Sequence, residues 1–126
     1  ANVLLRLLTA DDAWQHKAAL AFFSKRSLES PAFVSTVALA ETVWVLRRTY
    51  RLAPEDICIA LKQILDSDDF LVEAREGLEF IQREGANPSH VGDYLIAHLG
   101  RKAGCERTVT FDKRAAARVP GMELLA

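Results

Sequence analysis

A length of 126 residues, 50% hydrophobic and 26% charged, describes one folded domain rather than a disordered chain. The formal charge of −1 excludes a strongly basic, indiscriminate binder of phosphate backbones, though not a local basic patch. No apolar run approaches the ~18 residues of a membrane span, and "ANVLLRLLTADD", interrupted by Arg6, does not read as a signal peptide.

Residues 3–8 are dense in Val and Leu and read as a buried strand. "TADD" follows, with Asp11 or Asp12 as a helix N-cap. From Ala13 to about Leu28, Trp14, Ala18, Ala21 and Phe22 recur at helical spacing, and "SLESP" ends the helix. "AFVST" (32–36) predicts a second strand. A helix over Val37–Tyr50 follows, its apolar face marked by Val37, Ala40, Val43, Trp44 and Leu46. Pro54 and the acids behind it open another helix, "APEDICIALKQILDS". "FLVE" (70–73) is a third strand, 76–84 a helix, and "GANPS" punctuates. Ser89 can cap "HVGDYLIAHLGRKAG", with Gly104 as its C-cap. "RTVTF" (107–111) is a fourth strand, "DKRAAARV" a short helix and "MELLA" a last edge strand. The order β-α-β-α-α-β-α-α-β-α-β predicts one α/β domain over 1–126 around a mostly parallel sheet. Cys58 and Cys105 follow no ligand or bridge pattern and read as reduced thiols in a cytoplasmic protein.

Three acids sit where propensity and burial do not ask for them. Glu41 is the only charge in "AFVSTVALAETVWVL", and Val37, Ala38, Trp44 and Val45 surround it on a helix. It lies either on a narrow solvent stripe or half-buried without a counter-ion, which is costly unless a metal or a partner supplies positive charge. Asp93 lies in the first turns of its helix, where a carboxylate complements the positive end. Asp112 stands between a strand and a helix, an N-cap position. Sites in open α/β sheets form outside the carboxyl ends of strands. With right-handed crossovers, all three acids can converge there. An oxygen-only cluster selects Mg²⁺ or Mn²⁺.

Other constellations are weaker. His16, His90 and His98 have no partner at i+4 and read as surface histidines rather than zinc ligands. The glycines are scattered, so there is no phosphate loop, and no G-x-S-x-G occurs. Thr110, two residues before Asp112, shares its face and can bond to it.

Taken together, "NVLLRLLTADD", "FVSTVALAETVWVLRRTY", "GDYLIAHLGRKAG" and "TVTFDKRAA" resemble the PIN domain, in particular the small VapC-type ribonuclease toxins of bacterial toxin–antitoxin pairs. The resemblance runs in order from residue 2 to about 117. It implies a three-layer α/β/α sandwich with a mostly parallel sheet of four to five short strands. It implies a ribonuclease that hydrolyses RNA phosphodiesters with Mg²⁺ or Mn²⁺ held by Glu41, Asp93 and Asp112. The family's first acid precedes a small residue and an Asn. Ala1-Asn2 matches those two places, so an Asp is expected just before Ala1, at the end of the first strand, with Asn2 supporting the site. Arg47, Arg48, Arg51, Lys113 and Arg114 are candidates to hold RNA, or are solvated helix faces. The resemblance also implies a small VapB-like antitoxin as partner, and a homodimer. A catalytically inactive PIN-like scaffold that binds a protein partner is the alternative, and an unrelated interaction module whose acids are caps is a third reading.

Overall fold

In the computed structural model, which describes residues 1–83, 87 and 90–126, the first element is a helix, α1 (Asn2–Leu8), and not the expected strand over 3–8. The reason is composition. Only Val3 in this run is β-branched, and leucine is among the better helix formers. Leu4 is buried, Leu5, Leu7 and Leu8 pack against the main core, and Thr9 closes the helix by donating both its N–H and its hydroxyl to the Leu5 carbonyl.

From residue 13 onward the elements follow the expected order. They are α2 (Ala13–Ser24), β1 (Ala32–Val34), α3 (Thr36–Arg48), α4 (Pro54–Asp66), β2 (Phe70–Val72), α5 (Arg75–Arg83), α6 (Val91–Lys102), β3 (Thr108–Thr110), α7 (Lys113–Arg118) and β4 (Met122–Leu124). Local chemistry sets the boundaries. The Gln15 N–H donates to Asp12 at 3.0 Å, so Asp12 caps α2, which ends at Ser24 rather than Leu28. Ser35 accepts the Ala38 N–H at 3.1 Å and caps α3. Pro54 sits in the first turn of α4. Gly104, at φ 95°, takes the left-handed position just past α6. Ser89 and most of "GANPS" lie outside the described residues, and the described residue before α6, His90, makes no side-chain cap.

β1 pairs with β2 in parallel, Ala32 against Phe70 through Val34 against Val72. β3 pairs with β4 in parallel, Thr108 against Met122 through Thr110 against Leu124. The described strands thus form two separate two-stranded sheets rather than one sheet of four to five, and the three-layer sandwich that needs a continuous sheet is not formed by them. Residues 3–8, being helical, join neither pair. Val34 and Val72 point into the core, whereas Phe33 and Leu71 on the opposite face are 61% and 57% exposed.

The main core gathers α1, α3, α4, α5, α6, β1 and β2 around Leu39, Ile57, Leu78, Ile81, Val91 and Leu95. A smaller core of Ala97, Ala115, Val119 and Met122 joins α6 to α7 and β4, and Tyr94 packs against both. α5 and α6 approach closely at Gly77, where a Cβ would meet the His98 ring at 3.2 Å. His98 is therefore half-buried between these helices rather than on the surface. Among the described residues no helix is long and apolar enough to cross a membrane.

The helix faces differ from those the periodicity marked. In α3 the buried stripe is Leu39, Thr42, Val43 and Leu46. Val37 and Trp44, expected inside, are 76% and 59% exposed. In α2 the buried residues are Ala19 and Phe23, and Trp14 is 78% exposed. This rotation of α3 is testable. Leu39→Ala should cost about 2–5 kcal/mol in denaturant unfolding, and Val37→Ala no more than about 0.5 kcal/mol. Equal losses at both positions would contradict it.

Candidate functional site

The buried stripe of α3 decides where Glu41 goes. With Leu39, Thr42, Val43 and Leu46 inward, Glu41 faces solvent in the second turn, and it makes no ion pair among the described residues. The exposed-stripe alternative therefore holds, and the half-buried one does not. Asp93 is half-buried in the first turn of α6, where it complements the positive helix end. Asp112 leaves β3 and caps α7, its Oδ1 accepting the Arg114 N–H at 2.8 Å and the Ala115 N–H at 3.2 Å. Thr110 does contact it, but through the backbone: Thr110 Oγ1 accepts the Asp112 N–H at 3.0 Å.

Glu41, Asp93 and Asp112 are not brought together as a ready cage. Among the described residues no three His, Cys, Asp or Glu side chains lie close enough to hold a metal ion. Their donor chemistry still suits a hard cation, since each offers carboxylate oxygen and only Asp112 spends one oxygen on a cap. Asn2 opens α1 and lines a groove of about 730 Å³ with Val34 and Ala38, the end of β1 and the first turn of α3. The rest of that groove is mostly apolar and includes Trp14, Phe22 and Phe33.

The basic candidates separate into two places. Lys113 and Arg114 are exposed at the start of α7, beside Asp112. Arg47, Arg48 and Arg51 line a second hollow of about 580 Å³ together with Trp44. The Arg48 guanidinium lies 5.8 Å from the Trp44 ring centroid. Arg51 takes a left-handed backbone, φ 54°, a region that costs a side chain about 1 kcal/mol or more and that glycine enters freely.

One acid that position alone marks was not singled out. Glu73 directly follows β2, as Asp112 closely follows β3. Its Oε1 accepts the Thr36 N–H at 2.9 Å, tying the end of one strand to the start of α3. That N–H, helped by the charge of Lys102, holds the Glu73 carboxyl below its ordinary value. Glu76 is lowered too, first by its own backbone N–H and then by Lys102, with His98 nearby. The signal available in the sequence was an acid at a strand's carboxyl end.

A family profile, the PIN domain, matches residues 1–121, and the chain belongs to the PIN domain family. No curated protein and no solved structure gives a significant match. PIN domains are generally nucleases that act on RNA, and they generally use divalent metals.

The Glu73 contact predicts a specific pH dependence. Because its folded carboxyl is depressed, its contribution is present above about 4.5 and is lost as pH falls through the folded value. Glu73→Gln keeps the acceptor and removes the charge. The variant should melt below the wild type at pH 7, and the two curves should converge in acid. A gap in Tm that stays constant from neutral pH to pH ~3 would refute the contact.

Proposed function

We propose that this PIN domain is a metal-dependent ribonuclease that hydrolyses RNA phosphodiesters and acts as the toxin of a VapC-type toxin–antitoxin pair. The observation that carries the reading is the family match over 1–121, which takes in Asn2, Glu41, Asp93 and Asp112 together. Glu41, Asp93 and Asp112 would hold Mg²⁺ or Mn²⁺. The ion, when bound, lowers the pKa of a water and stabilises charge on the phosphate oxygens.

The chain's own residues set the remaining conditions. Glu41 and Asp112 are exposed, so a phosphodiester reaches them without any core residue moving. The two N–H groups on Asp112 Oδ1 fix the orientation of its carboxylate. Thr110, by accepting the Asp112 N–H, fixes the backbone from which it projects. Asn2, which lines the same groove as Ala38, would support the site from α1. Lys113 and Arg114 beside Asp112, with Arg47 and Arg48 along α3, hold the phosphate backbone. A VapB-like antitoxin, a homodimer and a cytoplasmic setting belong to the same proposal.

A second reading, a PIN-like scaffold without activity that binds a protein partner, is favoured by one observation: the described carboxylates are not gathered into a metal-holding group. Cleavage of RNA by the full-length protein separates the two. The ribonuclease reading expects cleavage that needs Mg²⁺ or Mn²⁺, stops in EDTA and falls by more than about 100-fold in Asp93→Asn, the upper end of what removing a supporting metal-site residue costs. Cleavage that ignores EDTA, or that survives unchanged in the variant, sinks it. A scaffold would in addition show no saturable Mn²⁺ binding.

A further inference from the structure

We propose that the outward stripe of α3 is a seat for single-stranded RNA, on which Trp44 stacks an unpaired base while Arg47, Arg48 and Arg51 hold the flanking phosphates. The proposal rests on the ribonuclease reading for its substrate, and it adds a contact that positions that substrate. The burial of Leu39, Thr42, Val43 and Leu46 turns Glu41, Trp44 and Arg48 to the same side of the helix, at i, i+3 and i+7. Trp44 therefore stands about one turn, or ~5 Å along the axis, from Glu41. A base stacked on Trp44 belongs to a nucleotide beside the one that Glu41 faces.

Four features of the hollow point to a polynucleotide. Among the described residues its walls are Trp44 and three arginines, with no carboxylate. Its volume of about 580 Å³ falls within the ~300–1,000 Å³ of small-ligand sites, enough for a base and its phosphate. The Trp44 ring, 59% exposed, is a large apolar surface left in water, and an indole flanked by guanidinium groups is what unpaired bases stack upon. Arg48 and Arg51 have no carboxylate partner among the described residues, so their charge is available to phosphate.

Arg51 is the most telling of the three. The turn after α3 is held by the Leu52 N–H on the Leu46 carbonyl at 3.0 Å and by Arg47 Nη1 on the Leu52 carbonyl at 3.3 Å. Within it Arg51 occupies a left-handed position that glycine fills without strain. The side chain at this strained position is a cation, and it lines the same hollow as Trp44. Duplex RNA does not satisfy this seat, because its bases are already stacked on one another.

The test reads binding without cleavage. In a Trp14→Phe background Trp44 is the sole tryptophan, and Trp14 is exposed enough to be replaced without touching the core. A short single-stranded RNA, oligoadenylate, titrated in EDTA should quench Trp44 fluorescence saturably, and a duplex of the same length should not. In the otherwise native chain, where affinity is followed on labelled RNA, Trp44→Ala should weaken binding by about 10-fold, and Trp44→Phe should restore most of it. Arg51→Gly should melt no lower than the wild type, yet bind more weakly and with a salt dependence reduced by about one ion. Unchanged affinity in Trp44→Ala, or equal quenching by the duplex, overturns the proposal. So does an oligoglutamate peptide that quenches Trp44 and competes with the RNA on equal terms, which would make the hollow a protein-docking site. RNA bound through Trp44 but never cut would leave this seat standing and remove the nuclease reading. Normal cutting by Trp44→Ala with unchanged KM would do the reverse.

Discussion

The rotation of α3 about its own axis is the constraint on which the rest of the structure hangs. This helix packs against α1, α4 and α6 at once, so its inner stripe must satisfy three neighbours. Leu39, Val43 and Leu46 do so by size, and Thr42, the one buried polar residue among the described residues, does so by spending its hydroxyl on the Ala38 carbonyl at 2.7 Å within the helix. Thr42 thus leaves no unsatisfied group on that face, whereas the Thr36 hydroxyl at the start of the helix is buried without a partner among the described residues. The consequence is functional. Once these four residues are inside, Val37, Glu41, Trp44 and Arg48 have no other place than the surface. The charge and the indole are exposed because the opposite face is what the core needs.

Polar contacts then hold the ends of α3 in place. At its start, Ser35 accepts from Ala38 and Glu73 accepts from Thr36, so two orphan N–H groups of the helix are met, one of them by a residue 37 positions away. Glu73 in turn donates its own N–H to the Val34 carbonyl, extending the β1–β2 ladder by one bond. Strand pairing and helix placement are thereby coupled through one residue. Just beyond the helix, Tyr50 donates to Asp11 Oδ2 at 2.7 Å, and Arg6 reaches Asp11 at 2.9 Å, Tyr50 at 3.2 Å and Gln15 at 2.6 Å. This network joins α1, α2 and the tail of α3. Its components are largely exposed, so it adds more to orientation than to stability.

Local signals in the sequence were enough wherever a boundary is made by a residue and its near neighbours. Asp12, Pro54, Gly104 and Asp112 all act within a few positions, and the elements they bound were legible, whereas Ser35, read as part of a strand over 32–36, caps α3 instead. Residues 3–8 were not, because a short run of leucines serves a buried strand or a buried helix equally well and only length and neighbours arbitrate. The faces of α2 and α3 were illegible for a related reason. Both helices carry apolar residues nearly all round, so periodicity does not choose a side. The packing partners do, and they come from distant parts of the chain. Glu73 escaped notice because its partner lies across the sheet. Of the site, the strand-end position of Asp112 could be read directly. Whether Glu41 and Asp93 approach it depends on tertiary geometry that spacing does not encode.

In the proposed site Asp112 would combine a structural duty with a chemical one. A cap uses one carboxylate oxygen as an acceptor, here with two N–H groups on Oδ1. The cap therefore restrains the torsion of the carboxylate without consuming both its oxygens. Thr110 restrains the backbone beneath it, and the pairing of β3 with β4 restrains Thr110. Each restraint costs entropy in folding rather than at the moment a ligand arrives, which is the physical content of preorganisation. Capping α7 and the proposed ligand role of Asp112 are thus compatible. The cap is the means by which an exposed carboxylate at a strand's end keeps one orientation, and a carboxylate with one orientation is what a ligand site requires.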